Sequence, residues 1–297
     1  MPVRHGVGER AVRSVAPTLR AGGRAAAGFA AALILVSCTA SSRAGASASP
    51  SPFASATPSA PGALSTPDAA GMASQVFDNG LPCPTSMDSS LPSGSGCVSE
   101  ARADLDGDGV VDRFVLFADL NADATPRRWR ATAILSTGVT TPAVKVPTGQ
   151  GVASVYPRVI GEADANGDGR AEVFVKLSAI LYHVGGQQIE GVFGVGGGRI
   201  RLVTVAGSGR LEFRAGGISR YGDGALCAER EGRSVFLVRH IEQVQPSFWK
   251  WTERTFSWRG LSLRLTAKRS GLLPLTLPIT DPRVHPFYHL RCGAVRA

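Results

Sequence analysis

Asp104-Leu105-Asp106-Gly107-Asp108-Gly109-Val110-Val111-Asp112 returns sixty residues later as Asp164-Ala165-Asn166-Gly167-Asp168-Gly169-Arg170-Ala171-Glu172. Both stretches follow D-x-[DN]-x-D-G-x-x-[DE]. A hard cation such as Ca²⁺ takes about six to eight oxygen ligands at roughly 2.3–2.6 Å, and acidic side chains at alternate positions of a turning loop supply them. The first copy offers the carboxylates of Asp104, Asp106, Asp108 and Asp112 and the backbone carbonyl of Val110. The second offers Asp164, Asn166, Asp168 and Glu172 with the carbonyl of Arg170. Gly109 and Gly169 stand where the loop turns sharply, a place that favours φ > 0. A solvated acidic turn would account for the Asp and Gly content. It would not account for the alternation, the placed glycine and the repetition. Asn166 lowers the charge of the second copy, and a flexible all-protein cage suits Ca²⁺ better than Mg²⁺.

Each motif runs directly into a β-branched and aromatic segment, Arg113-Phe114-Val115-Leu116-Phe117 and Val173-Phe174-Val175-Lys176-Leu177. These have strand character. An EF-hand would need a helix there and a bidentate Glu at the loop's end, where this chain has Val115 and Val175. A third unit follows at the same period: Ser234-Val235-Phe236-Leu237-Val238 places Phe236 in line with Phe114 and Phe174. Phe193, Val195, Ile200 and Leu202 are matched 63 residues on by Phe256, Trp258, Leu263 and Leu265, each set around a glycine turn. Alternating apolar residues about such a turn predict hairpins. The third unit lacks the acidic loop, for Tyr221-Gly222-Asp223-Gly224 is acidic at one position only.

Hairpins that recur about every sixty residues after an Asp-rich loop resemble FG-GAP/VCBS repeats, the blades of integrin-α-type propellers. The resemblance spans about residues 98–268 and is carried by the two acidic motifs. It implies Ca²⁺ at the blade rim, held by the two ligand sets named above. The expected fold is all-β: a propeller-like tandem of three or four antiparallel blades, with residues 81–100 and 270–292 as closing segments. An open twisted stack of antiparallel sheets is the other arrangement the pattern allows.

The N-terminal part reads as an address. Residues 1–37 carry Arg4, Arg10, Arg13, Arg20 and Arg24 against Glu9, then an apolar run from Ala25 to Val36, the pattern of a secretory signal peptide. Leu35-Val36-Ser37-Cys38 resembles the lipobox of bacterial lipoproteins, which implies lipidation at Cys38 and anchoring at the extracytoplasmic face of the cell membrane. Residues 38–80 are rich in Ser, Ala and Pro, with too little apolar surface to bury, a composition that predicts a disordered tether. Residues 81–297 form the β domain. The formal charge of +9 falls to +5 once five Arg and one Glu of the leader are removed, a net loss of +4. Arg199, Arg201, Arg210 and Arg214 alternate with apolar residues and predict the solvated faces of strands.

Apart from Cys38 the cysteines are Cys83, Cys97, Cys227 and Cys292. An even number in an exported chain points to disulfides, with three pairings open. Cys83–Cys97 is favoured because its short loop costs least to close. No zinc spacing, nucleophile elbow or strand-to-helix phosphate loop is present, and Gly196-Gly197-Gly198 falls in a hairpin turn. Pro282 and Pro286 oppose a helix that would align His285 with His289. Phe248, Trp249, Trp251, Phe256 and Trp258 fit a hairpin interior better than a sugar-stacking platform.

The resulting expectation is an exported, lipid-anchored, calcium-binding β protein that acts as a cell-surface binding or adhesion module without catalysis. Its partners would be the membrane, through the anchor, and an extracellular protein or cell-wall glycan; nucleic acid is poorly placed. The alternative is an accessory or cryptic enzyme module of a cell-wall hydrolase system. Substituting Cys38→Ser is expected to move the protein from the membrane to the soluble fraction. Mass spectrometry of the mature N-terminal peptide checks it, and an unmodified wild-type Cys38 would refute the anchor.

Overall fold

Each acidic loop joins two antiparallel strands. In the computed structural model, which describes residues 83–148, 156–182, 185–245 and 247–297, the first loop lies between β1 (Ser95–Ala103) and β2 (Asp112–Leu120). With β3 (Pro126–Ile134) and β4 (Val144–Lys145) these form a four-stranded antiparallel sheet in chain order. The second loop joins β5 (Arg158–Ala163) to β6 (Glu172–Tyr182), and β7 (Gly185–Gly196) and β8 (Arg199–Leu202) complete a second meander. The signal segment, Cys38 and the linker lie outside the described residues.

After β8 come β9 (Thr204–Val205), β10 (Gly209–Arg210) and β11 (Phe213–Ile218). The third meander follows as β12 (Tyr221–Arg230), β13 (Arg233–Gln245), β14 (Phe248–Arg259) and β15 (Ser262–Pro274). A short 3-10 turn at His285–Phe287 precedes β16 (Leu290–Cys292) and β17 (Val295–Arg296). The fold is therefore all-β and antiparallel, apart from the parallel pairs β12–β16 and β9–β15. Both predicted hairpins form: Phe193 faces Leu202 and Val195 faces Ile200, while Phe256 faces Leu265 and Trp258 faces Leu263. Gly197 and Gly198 both have positive φ, as a tight hairpin turn requires.

The architecture departs from independent blades in one respect. β11 pairs with β7 on one side and β12 on the other, so hydrogen bonding runs unbroken through the second and third meanders as a 13-stranded sheet. Glycine makes this insertion possible. A Cβ on Gly216 would lie 2.5 Å from the Gly186 carbonyl oxygen, and one on Gly217 would collide with the Tyr221 carbonyl. Sequence periodicity does not register such a close backbone approach.

Burial follows the pleat. Side chains alternate between the two faces of a strand. Phe114, Leu116 and Ala118 of β2 enter one core together with Val173, Val175 and Leu177 of β6 and Phe193 and Val195 of β7. Phe174 and Val192, on the opposite face of the second meander, join a second core with Phe213, Phe236, Phe256 and Leu263. Both faces of the second meander are thus covered, and its central strand is buried almost continuously from Val173 to Ala179. The outer face of the first meander is closed by the segment before β1, where Leu91 packs on Val115 and Phe117. The segments after β15 cover sheet faces and edges as well. At the C-terminus β16 extends β12, and Val295 reaches Gly161 of β5.

Both disulfides form. Cys83–Cys97 and Cys227–Cys292 have Cα separations of 5.1 and 4.7 Å. The first ties the covering segment to β1, and by chain entropy a fifteen-residue loop of this kind contributes about 3 kcal/mol. The second ties the C-terminal strands to β12. Arg199, Arg201, Arg210 and Arg214 are exposed, as the alternation predicts.

One pair of ionisable side chains lies inside the second sheet. Glu190 of β7 stands opposite Lys176 of β6, and both are buried. Neither oxygen of Glu190 accepts a hydrogen bond. Burial pushes its pKa up to about 8, with Lys176 drawing it back. Between the ordinary Glu value and about 8, the folded chain holds a proton that the unfolded chain has lost. Stability from this group is full below the unfolded pKa and falls as pH rises through that window. Glu190→Gln keeps a neutral side chain and removes this loss. Urea unfolding at about pH 5 and about pH 9 should show the variant gaining on the wild type at the higher pH, and a constant difference would refute the assignment.

Candidate metal centre

Asx side chains cap backbone amides a few residues ahead, and in these loops they do so in series. Asp104 Oδ1 accepts from the Gly107 amide at 2.6 Å, and its Oδ2 from Gly109 at 2.9 Å. Asp106 Oδ1 accepts from Asp108 N at 3.2 Å, and Asp108 Oδ1 from Val110 N at 2.8 Å. The second loop repeats the set. Asp164 accepts from Gly167 at 2.7 Å and Gly169 at 3.0 Å, Asn166 Oδ1 from Asp168 at 2.8 Å, and Asp168 from Arg170 at 3.0 Å. These four bonds correspond in the two loops, and the second adds one from Asp168 N to Asp164 Oδ1 at 3.2 Å. Gly109 and Gly169 have φ of 82° and 85°, and Gly107 and Gly167 are also left-handed at 86° and 78°.

The ninth position plays a different part from the other four. Asp112 and Glu172 are each 1% exposed. Asp112 Oδ2 accepts from Leu105 N at 2.9 Å and Oδ1 from Ser136 N at 2.7 Å. Glu172 Oε2 accepts from Ala165 N at 2.9 Å, and its Oε1 from the Asn166 side-chain amide at 2.6 Å. These carboxylates hold the loop to the start of the following strand. Asn166, chosen in the sequence as a weaker ligand, also bridges Asp168 N and Glu172.

The structure brings one carboxylate oxygen each of Asp104, Asp106 and Asp108 within 4.8 Å of one another. Carboxylates this close repel one another. Asp106 is shifted upward, first by burial and then by Asp112, Asp108 and Asp104. Glu172 is pushed up to about 8, first by burial and then by Asp168 and Asp164. An oxygen-rich, mutually repelling set on a turning loop is the donor chemistry of a hard divalent cation. Val110 is exposed at the loop tip, and Arg170 is exposed at the equivalent place.

Two features escaped the sequence. Ser136, from the turn after β3, donates its hydroxyl to Asp108 Oδ2 at 2.9 Å while its amide serves Asp112. Nothing local to the motif signals a residue 28 positions away. The loops also touch. The Ala171 amide donates to the Asp104 carbonyl at 2.8 Å, and the Arg170 side chain lies over Gly107, where a Cβ would stand 3.0 Å from Nε. A cation of the second loop thereby rests against the acidic first loop. Gly167 in turn abuts Ser234 at the start of β13, so loop one, loop two and the third meander line up along one rim.

The third unit carries no such loop. Asp223 lies within β12, where the Gln187 side-chain amide donates to its Oδ2 and His240 Nδ1 is 2.9 Å from its Oδ1. That hydrogen bond is the main reason the His240 pKa is raised. In the tail, the His285 and His289 rings do meet, with centroids 4.1 Å apart, because the 3-10 turn rather than an α-helix brings them together. The aromatic stripe divides by parity. Trp249 and Trp251 face the tail, Phe256 and Trp258 face the second core, and Phe248 is exposed.

Comparison with protein-family models, with curated proteins and with solved structures returns no match. Functional argument therefore rests on the site itself. Asp112→Ala strips the acceptor from two backbone amides and should cost roughly 2–4 kcal/mol in chelator-treated protein. Asp106→Ala, at a half-buried position whose carboxylate accepts only from the Asp108 amide at 3.2 Å, should stay within about 1 kcal/mol under the same conditions. Equal losses in urea unfolding would show that the two positions do not differ in this way.

Proposed function

We propose that this protein is an exported, lipid-anchored, calcium-stabilised β-repeat protein that binds a protein or glycan partner at the cell surface and performs no catalysis. The observation that carries the metal reading is the pair of acidic loops, which share one series of Asx caps on backbone amides and touch each other. In the first site Asp104, Asp106 and Asp108 supply carboxylates, Val110 its carbonyl, and Asp112 the inward carboxylate. In the second Asp164, Asn166, Asp168, the Arg170 carbonyl and Glu172 take the same places. Bound Ca²⁺ would supply the positive charge that offsets carboxylate repulsion where β1 hands over to β2 and β5 to β6.

A propeller-like arrangement of the three meanders is supported by their first strands. β1 neighbours β5 through the Ser99 hydroxyl, which accepts from Val159 N at 3.1 Å. β5 neighbours the C-terminal strands, which themselves extend β12. Such an arrangement, resembling FG-GAP/VCBS propellers, would leave loops and outer sheet faces free for partners. The binding role is the family's contribution to this reading. The Asp223–His240 pair does not favour an enzyme, since the second ring nitrogen of His240 faces Glu242 at 3.7 Å.

Calcium in excess should raise the melting temperature relative to chelator. At a hundredfold excess over Kd the gain is about 2.7 kcal/mol per site. Mg²⁺ should have a smaller effect, and Asp104→Asn with Asp164→Asn should abolish most of the response. Scanning calorimetry with and without each cation tests this, and a melting temperature indifferent to Ca²⁺ would eliminate both sites.

A further inference from the structure

The third meander carries a second feature that the acidic loops do not explain. On the tail-facing side of its sheet the register sets Arg239, Glu253 and Arg269 directly opposite one another across β13, β14 and β15. The next row on that face is Ile241, Trp251 and Gly271. The C-terminal tail covers the far end of the face, with Val284, Phe287 and Tyr288 packed on Ile241 and Trp249. Between the tail and the charged row is a cavity of about 430 Å³. This lies within the roughly 300–1,000 Å³ usual for small-molecule sites.

The cavity has two unlike walls. The apolar wall includes Trp251 and Phe287, whose rings are 6.1 Å apart and tilted by 50°. Gly271 lets the indole lie against the sheet, since a Cβ there would stand 2.8 Å from Trp251 Nε1. The rest of the lining is cationic: Arg239 and Arg269 in the sheet row next to Trp251, Arg230 of β12, and Arg283 from the tail. Glu253 does not neutralise it. Its Oε1 is taken by Arg230 at 3.1 Å and its Oε2 by Arg239 at 2.9 Å. Arg283 is paired with Asp281. Arg269, directly opposite Glu253, is exposed and makes no ion pair among the described residues. Four guanidinium groups thus meet two carboxylates, Glu253 and Asp281.

We propose that this cavity binds an acidic saccharide, a sugar ring that carries a carboxylate or a phosphate. The planar guanidinium of Arg269, beside Arg239, engages the anion, for which Arg is geometrically suited. Trp251 receives the apolar C–H face of the ring, as an amphipathic aromatic at a wet surface does. The assignment deepens the surface-binding function proposed above, and it uses no residue of the metal loops. An aromatic side chain that sequence parity placed in a hairpin interior here becomes one wall of a site, because the tail stops short of it.

Isothermal titration of the full chain tests the proposal with four probes: a galacturonic acid trimer, glucose 6-phosphate, glucose and inorganic phosphate. One of the two acidic sugars should bind in a salt-sensitive manner, glucose should not, and the acidic sugar that binds identifies the anion. Arg269→Gln, on an exposed position, should weaken binding about tenfold, the equivalent of about 1.4 kcal/mol. Trp251→Phe keeps an aromatic ring against Phe287 and should weaken it as well. Equal binding of glucose and the acidic sugars, phosphate binding as tightly as the sugar phosphate, no binding at all, or an unchanged affinity in Arg269→Gln would each overturn the assignment. Repeating the titration with chelator separates the two claims. Loss of the calcium response leaves this affinity intact, and loss of this affinity leaves the calcium response intact.

Discussion

The buried carboxylate that ends each acidic loop is the contact on which the repeated unit depends. Asp112 and Glu172 are the first residues of β2 and β6, and each turns inward to accept an amide from the residue after the loop's leading Asp. A carboxylate with little solvent must have its oxygens occupied. Here the loop's own Leu105 and Ala165 amides each occupy one oxygen, with Ser136 N and the Asn166 side-chain amide on the others, so the loop is held to the start of the strand. The outward Asp side chains then have a fixed frame. Their mutual repulsion is a cost that a divalent cation would offset.

From that frame the rest of the domain follows by covering sheet faces. The second meander is buried on both sides, by β2 and by the crossover and third meander, which explains its nearly continuous apolar β6. Its buried Glu190 and Lys176 are tolerated only because they stand opposite each other. Glycines at 216 and 217 admit β11 between β7 and β12, and this insertion turns two meanders into one sheet. The C-terminal strands, stapled by Cys227–Cys292, then tie β12 to β5.

The tail divides one face of the third meander into two environments. Where Val284, Phe287 and Tyr288 lie on it, the face is core. Where they stop, a row of opposed charges is left at the lip of a cavity, with Trp251 on the boundary. A pairing that would be a sheet-surface ladder elsewhere becomes asymmetric here, because one Glu serves two Arg and a third Arg is left over.

Much was legible in the sequence because it is local. The Asp alternation, the glycine turns and the period-two hairpins involve residues within a few positions, and Phe193–Leu202 and Trp258–Leu263 pair as the alternation predicts. Loop-closure cost was enough to favour Cys83–Cys97. What the sequence did not reveal is non-local: Ser136 joining Asp108, Arg170 resting on the first loop, β11 fusing two meanders, and the stacked His285 and His289. Trp251 shows the boundary most clearly. Parity determined which face of β14 it occupies, but only the path of the tail decided whether that face is filled or open. Backbone spacing and side-chain alternation are properties of a short segment, whereas coverage depends on where distant segments come to rest.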